Sequence, residues 1–404
     1  MNNTIAKARW FRLIPVAFIT YSLAYLDRAN FGFGVAGGMT QDLKISAATS
    51  SLLGSLFFLG YFFFQVPGTH YAATKSAKKL IFWSLILWGA MAMATGLISD
   101  VKWLIIIRFM LGVTESAVMP SMLVLLSRWF TKKERSRANT FLILGNPVTI
   151  LWMSILSGYL IDAVGWRWMF ILEGAPAIIW AFGWWVLVND KPKDATWLSR
   201  EDKDQLEEHL QKEQQDIKPV KNYTEAFQSK TVILLCLQYA LWSIGVYGFV
   251  LWLPSIIKSA PHMDIIKTGW LSSIPYVFAI AGMLIASYYS DKIIKRKAFI
   301  WPFLLTGAIA FYISYLTGTN NFWLSFVLLI IAGAAMITEL LPSNVAAGAI
   351  ALINSFGALG SFAGSYLVGY LNGSTGGFGA SYIFMAGSLF LSAFLTVIAV
   401  KQRV

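Results

Sequence analysis

Twelve apolar stretches constrain this chain more than any other feature. They lie near residues 11–37, 47–69, 80–98, 103–127, 138–162 and 168–188, and again near 231–257, 270–290, 298–316, 322–338, 345–371 and 381–400. A run of ~17–25 residues at ~1.5 Å per residue crosses a hydrocarbon core of ~30 Å. A soluble fold cannot hide so many. Hydrophobic residues make up 57% of the 404 and charged ones only 13%, about half the usual ~25%, so polar groups could not cover a water-facing surface. Backbone polar groups must be satisfied inside each spanning segment, which makes the expected fold an all-α polytopic membrane protein with twelve transmembrane helices. The basic start, Lys7, Arg9 and Arg12, before an apolar run has the look of a secretion signal. Asp27 and Arg28 interrupt any such apolar region and more spans follow, so the segment reads as a retained first span.

The spans fall into two sets of six, separated by the only long polar stretch. The expected organisation is a six-helix bundle over 1–188, a linker over 189–230, and a second six-helix bundle over 231–404. In the linker, Ser199 followed by Arg200, Glu201 and Asp202 marks a helix start, and Leu206 and Leu210 continue at helical spacing, which reads as a short solvated surface helix. A weak repeat at an offset of 207 to 208 residues supports the division: Asn146 to Tyr159 echoes Asn354 to Tyr366. Parallel halves of six spans are common in secondary transporters.

Loop charge sets the orientation, because short loops rich in Lys and Arg stay in the cytoplasm. Three loops on one side hold Lys75, Lys78 and Lys79; Arg128, Lys132, Lys133, Arg135 and Arg137; and Lys292, Lys295, Arg296 and Lys297. The other side has Lys44, Lys102, Arg167, Lys258 and Lys267. Both termini and the linker are therefore expected in the cytoplasm, and much of the net charge of +12 is topological rather than a nucleic-acid footprint. The expected location is a bacterial cytoplasmic membrane.

Ionisable groups inside spans cost ~2.5–3.5 kcal/mol each even on a lenient scale, so each needs a reason. Five stand out: Asp27 and Arg28 in span 1, Arg108 and Glu115 in span 4, and Glu173 in span 6, all in the first half. At the helical rise, Asp27 and Arg28 lie roughly 14–15 Å below the outer surface, Arg108 roughly 10 Å and Glu115 roughly 21 Å, so they can meet. Seven residues, almost two turns, keep Arg108 and Glu115 on one helix face. The simplest arrangement is a buried network facing a central cavity; an ion-pair cluster that only holds the bundle together is the alternative. A buried carboxylate beside an arginine binds or releases a proton when that partner changes. A guanidinium fork matches an organic carboxylate, which makes Arg28 or Arg108 a natural anchor for an anion. Tyr61, Asn146, Gln238, Tyr239 and Asn354 are neutral candidates for ligand hydroxyl groups, although each also suits ordinary helix packing.

Other chemistry is not signalled. There is no P-loop, H-E-x-x-H or C-x-x-C pattern, and Cys236 stands alone, so neither a cofactor nor a metal is expected. Gly357, Gly360 and Gly364 read as close helix packing, and His70, His209 and His262 as surface histidines.

Five motifs together resemble the anion:cation symporters of the major facilitator superfamily over nearly the whole chain. They are Tyr25-Leu26-Asp27-Arg28-Ala29-Asn30; Arg108 through Glu115; Trp129-Phe130-Thr131-Lys132-Lys133-Glu134-Arg135; Gly165-Trp166-Arg167 leading to Glu173-Gly174; and Leu352-Ile353-Asn354. The nearest likeness is to rhamnonate transporters, through Asn139 to Tyr159 and Trp242 to Ile256. The resemblance implies that Asp27 and Glu115 carry protons, Arg28 contacts the substrate carboxylate and Arg108 pairs with an acidic neighbour. It also implies that Tyr61, Asn146 and Asn354 line a sugar-acid site. Two departures accompany it. The loop after span 2, Pro67-Gly68-Thr69-His70-Tyr71-Ala72-Ala73, has alanine where the superfamily usually carries an aspartate that braces the inward gate. Relatives also carry about a dozen more residues between span 10 and Glu339-Leu340-Leu341-Pro342, which leaves span 10 near the lower limit for crossing.

The expectation is thus a proton-coupled symporter of a sugar-acid anion, rhamnonate-like or another hexonate, working as a monomer by alternating access. Its partners are the small anion, protons and the lipid bilayer. The rivals are a membrane enzyme acting on a lipid or glycan, which would need a catalytic cluster at the membrane edge, and a relative disabled by the short span 10. Span 10 is expected to end near Ile337 to Leu340, with Glu339 at the interface and span 11 starting by Asn344.

Overall fold

The computed structural model describes residues 3–214, 230–293, 296–317, 321–336 and 347–399, and the described residues are almost entirely helical. The first part contains α1 (Asn3–Ala36), α2 (Ala47–Tyr71), α3 (Ala77–Leu97), α4 (Val101–Glu115), α5 (Val118–Trp129) and α6 (Lys132–Leu187). A linker helix α7 (Arg200–Gln214) follows. Then come α8 (Lys230–Lys258), α9 (Ile265–Ile293), α10 (Arg296–Thr317), α11 (Phe322–Met336), α12 (Ala347–Thr375) and α13 (Gly379–Ala399). Among the described residues, seven helical stretches are long and apolar enough to cross a membrane. Two of them, Ala47–Leu97 and Arg137–Leu187, run 51 residues each, enough for two crossings.

Local chemistry explains where these helices start and turn. Ser46 caps α2 by accepting from the Thr49 amide at 3.1 Å, and Asp100 caps α4 by accepting from Lys102 at 2.8 Å. The Asp264 carboxylate accepts from the Lys267 amide at 2.7 Å, which holds its carboxyl below the usual range. Thr131 and Glu134 form a capping box at the start of α6, and Gly165, with φ 83°, breaks that helix between its two crossings. A five-residue π-turn, Ala72–Ser76, joins α2 to α3, and the Ser76 hydroxyl caps α3 through Lys79 at 3.0 Å.

Span 4, expected as one continuous helix over 103–127, is instead parted at Ser116 and Ala117, directly after Glu115. Pro120 is the physical reason: its ring crowds the carbonyl four residues back, at Ser116, and it has no amide to donate. The linker helix also departs from expectation. Its cap forms, with Ser199 Oγ accepting from Asp202 at 3.1 Å, but Leu206 and Leu210 are buried in one cluster with Trp129 and Ala195. The helix is therefore docked along one face rather than solvated all round. The α11 helix spans 15 residues among those described, and its end is tied to α8 by Trp242 Nε1 donating to the Met336 carbonyl at 2.9 Å. Ile337 to Leu340 and Asn344, where the end of span 10 and the start of span 11 were expected, lie outside the described residues.

The two parts of the chain meet through α1 with α8, α2 with α12, and α6 with α9. The tightest approaches fall at the end opposite the basic loops. A methyl group added to Gly32 would run into the Leu251 carbonyl, and one on Gly158 would sit 3.0 Å from the Ile265 carbonyl. Gly373 packs on Ala47 and Gly369 on Trp252 and Ser51 at the same end. Glycine is used here because backbones touch, as at crossings of membrane helices generally.

Candidate functional site

A cavity of about 290 Å³ lies between α1, α2, α5, α6, α8 and α12. Helical spacing builds its lining. Tyr61, Gln65 and Thr69 recur every four residues on α2, and so do Tyr239, Ser243 and Tyr247 on α8; Asn354, Gly357, Ala358 and Ser361 form one face of α12. Tyr21 and Arg28 on α1 and Asn146 on α6 complete the polar part, with Phe58, Met119, Leu123, Val124 and Ile143 supplying apolar wall.

Arg28 is the charged group among the described residues of the lining. Its Nη2 donates to Glu115 Oε1 in a short buried ion pair, and its Nη1 donates to Tyr247 Oη at 3.4 Å. The rings of Tyr25, Phe57 and Tyr61 surround the guanidinium, with centroids 5.0 to 5.3 Å from Cζ. The pair is formed by the residue ending α4, immediately before the break that Pro120 causes, so Glu115 presents its side chain where the helix is interrupted.

Asp27 and Arg108 lie deeper, both 1% exposed. Asn30 Nδ2 donates to Asp27 Oδ1 at 3.4 Å. Arg108 Nε donates to the Leu53 carbonyl at 3.2 Å, and its guanidinium sits over the Phe31 ring with Cζ 4.5 Å from the centroid. It acts on Asp27 and Glu115 through space rather than by direct contact. Glu173 accepts from Ser157 Oγ at 2.6 Å, which ties the two crossings of α6 together across Gly165. Asp27 Oδ2, Glu115 Oε2 and Glu173 Oε2 are buried and lack a hydrogen-bond partner.

Arg28, Tyr61, Asn146, Tyr239 and Asn354 thus come together at one cavity. Asp27, Arg108 and Glu115 are buried behind it and do not line it, so among the described residues the expected network faces the cavity through Arg28. Gln238 does not line it either: its Nε2 donates to Ser392 Oγ at 3.1 Å, joining α8 to α13. Next to Tyr239 on the helical wheel it is a neighbour by one residue, which turns it by about 100° to another face. Tyr247 was missed by the sequence reading, although the four-residue recurrence of Tyr239, Ser243 and Tyr247 was there to signal it; Gln65 was missed likewise.

A polytopic helical protein with a cation-bearing cavity between two interlocked parts of its chain has the construction of a membrane carrier. The chain belongs to the Major Facilitator Superfamily, whose family model matches residues 17–335. It is 33% identical to a quinolone resistance transporter of Acinetobacter baumannii over 98% of this chain and 95% of that one. It is 30% identical to a provisionally named tartrate transporter of Agrobacterium vitis over 97% and 90% of the respective chains. Among solved structures, the partially occluded inward-open xylose transporter XylE of Escherichia coli superposes with a TM-score of 0.75 at 15% identity, covering 97% of this chain and 99% of that chain, which shows the shared fold. These relatives are transporters, and this chain is a multi-pass membrane transporter, not an enzyme.

Proposed function

We propose that the chain is a proton-coupled symporter that moves a small sugar-acid anion, rhamnonate or a related hexonate, across the bacterial cytoplasmic membrane by alternating access. The observation that carries this reading is the Arg28–Glu115 ion pair at the cavity wall. An arriving carboxylate takes Arg28 Nη1 and so shares the one guanidinium with Glu115 on Nη2. With a second carboxylate beside it and the charge of Arg28 divided between the two, the buried Glu115 carboxylate favours its protonated form, so anion and proton binding reinforce one another. Asp27, held between Asn30 and the field of Arg108, is the second proton carrier in this scheme. Tyr61, Asn146, Tyr239 and Asn354 receive the ligand's hydroxyl groups.

The architecture proposed is twelve spans in two six-helix bundles, 1–188 and 231–404, joined by the linker over 189–230, with both termini in the cytoplasm and a monomer as the working unit. In that orientation the basic loops are cytoplasmic and the glycine-lined contacts of Gly32, Gly158 and Gly373 close the outer side. The anion:cation symporter motifs and the relative named for tartrate support this reading. Purified protein in vesicles tests it: an inward proton gradient is expected to drive accumulation of labelled rhamnonate or galactonate, with alkalinisation outside as the anion enters. Uptake of neither acid, or uptake indifferent to the gradient, counts against it.

A further inference from the structure

Charge is distributed unevenly around the cavity, and its distribution bears on the ligand's class, given the anion-carrier reading above. Arg28 is the one ionised side chain among the described residues of the lining. Arg108 is engaged elsewhere, with Nε on the Leu53 carbonyl and its face on Phe31. From α8 and α12 the cavity receives hydroxyls, an amide and small residues but no charge.

Arg28 has capacity for one carboxylate. Glu115 takes Nη2, three aromatic rings cover the guanidinium, and Nε is buried. What remains directed across the cavity is Nη1, 3.4 Å from the Tyr247 hydroxyl on the opposite part of the chain. An N–H and an O–H at this separation can each donate to one ligand carboxylate.

A second carboxylate on the same ligand would find no such partner among the described residues of the lining. Beyond Arg28 the lining offers the neutral side chains of Gln65, Asn146, Tyr239, Ser243 and Asn354, which suit ligand hydroxyl groups. Toward the basic-loop end it offers the apolar patch of Met119, Leu123 and Val124 on α5. Leu123 is eight residues beyond Glu115, roughly 12 Å along the helix axis. None of these neutralises an anion, and an unpaired carboxylate taken from water is strongly disfavoured.

We infer that the cavity selects monocarboxylates, clasped between Arg28 and Tyr247, and rejects dicarboxylates of equal length. The amides and hydroxyls hold the ligand's hydroxylated body, and the α5 patch receives an uncharged terminus such as the methyl end of a 6-deoxyhexonate. The selectivity separates this chain from a carrier of tartrate, which bears two carboxylates.

The test is a thermal-stability titration of the full chain in detergent with rhamnonate, galactonate and galactarate, joined by competition among them for uptake into vesicles. Galactonate and galactarate share a carbon skeleton and differ at carbon 6. Rhamnonate and galactonate are expected to bind at least tenfold more tightly than galactarate. Tyr247→Phe keeps the ring and removes the hydroxyl, and is expected to weaken rhamnonate binding roughly tenfold, while loss of its long bond from Arg28 lowers the unliganded melting midpoint only slightly. Galactarate binding as tightly as galactonate would overturn the selectivity while leaving anion transport in place. Unchanged rhamnonate affinity in Tyr247→Phe would overturn the clasp. Binding and uptake of none of the three acids would take down the anion-carrier reading and this one with it.

Discussion

Arg28 and Glu115 are 87 residues apart in sequence and share a buried ion pair, so each sets what the other can do. Glu115→Gln removes the titratable group but leaves an amide of similar size that can still meet Arg28. Proton-driven accumulation is expected to disappear while counterflow exchange of substrate persists, measured in vesicles with and without a gradient. Accumulation at the wild-type level would remove Glu115 from the coupling step. Arg28→Lys keeps the charge and loses the planar fork. The ammonium cannot serve Glu115 and a ligand with the same geometry, nor stack among Tyr25, Phe57 and Tyr61. Substrate affinity is expected to fall by ~2 kcal/mol, roughly thirtyfold, read by titration calorimetry. The importance of both residues was legible, because an intramembrane charge demands explanation. Their partnership was not: Asp27 and Arg108 sit at comparable depth, and only the rotation of α1 against α4 decides which carboxylate Arg28 meets.

Among the elements, the turn between α2 and α3 shows how the missing gate aspartate is accommodated. Asp190, just beyond α6, accepts a short hydrogen bond from Ser76 Oγ and bonds from the Lys78 amide at 3.0 Å and Arg128 Nη1 at 3.4 Å. Arg128 Nη2 in turn donates to the carbonyls of Ala72 at 3.1 Å and Ala73 at 2.7 Å. The turn is held from α5 and the end of α6 rather than by a side chain of its own. Asp190→Ala leaves the Ser76 hydroxyl, the Lys78 amide and Arg128 short of an acceptor. It is expected to destabilise the protein by ~2 kcal/mol, seen as a lower melting midpoint in detergent. A midpoint within error of wild type would show that solvent replaces this acceptor freely. The alanines of the loop were readable in sequence, but the compensation was not, since Asp190 lies more than a hundred residues away. The break in span 4 was readable from Pro120 and was overlooked because the apolar run continues through it.

At the scale of the molecule, the described contacts between the two parts crowd toward the end opposite the basic loops, around Gly32 with Leu251 and Gly158 with Ile265. The cavity lining reaches Thr69 and Val124 on the other side. Alternating access requires that the tight contacts open when the cavity closes. Cysteines introduced at Leu123 and at Leu251, which is 4% exposed at the Gly32 contact, report the two ends separately. Saturating galactonate is expected to protect the first from a water-soluble thiol reagent and expose the second, whereas a rigid protein would leave both labelling rates unchanged. Gly158→Leu should act in the same direction without ligand, because its side chain would meet the Ile265 carbonyl.

Hydropathy and charge in the sequence alone determine that this chain is an α-helical membrane protein, because a bilayer accepts little else, and they place its costly charges in the first half. Turns and caps such as Ser46, Asp100, Ser199 and the Thr131–Glu134 box are local and were likewise open to reading. Which polar side chains share a cavity was decided only by tertiary structure. Tyr239 lines it and Gln238 does not, a difference of one residue and about 100° of helix rotation. In a bundle whose helices are apolar on nearly every side, hydrophobicity fails to specify that rotation; close glycine crossings and buried hydrogen bonds between distant spans do.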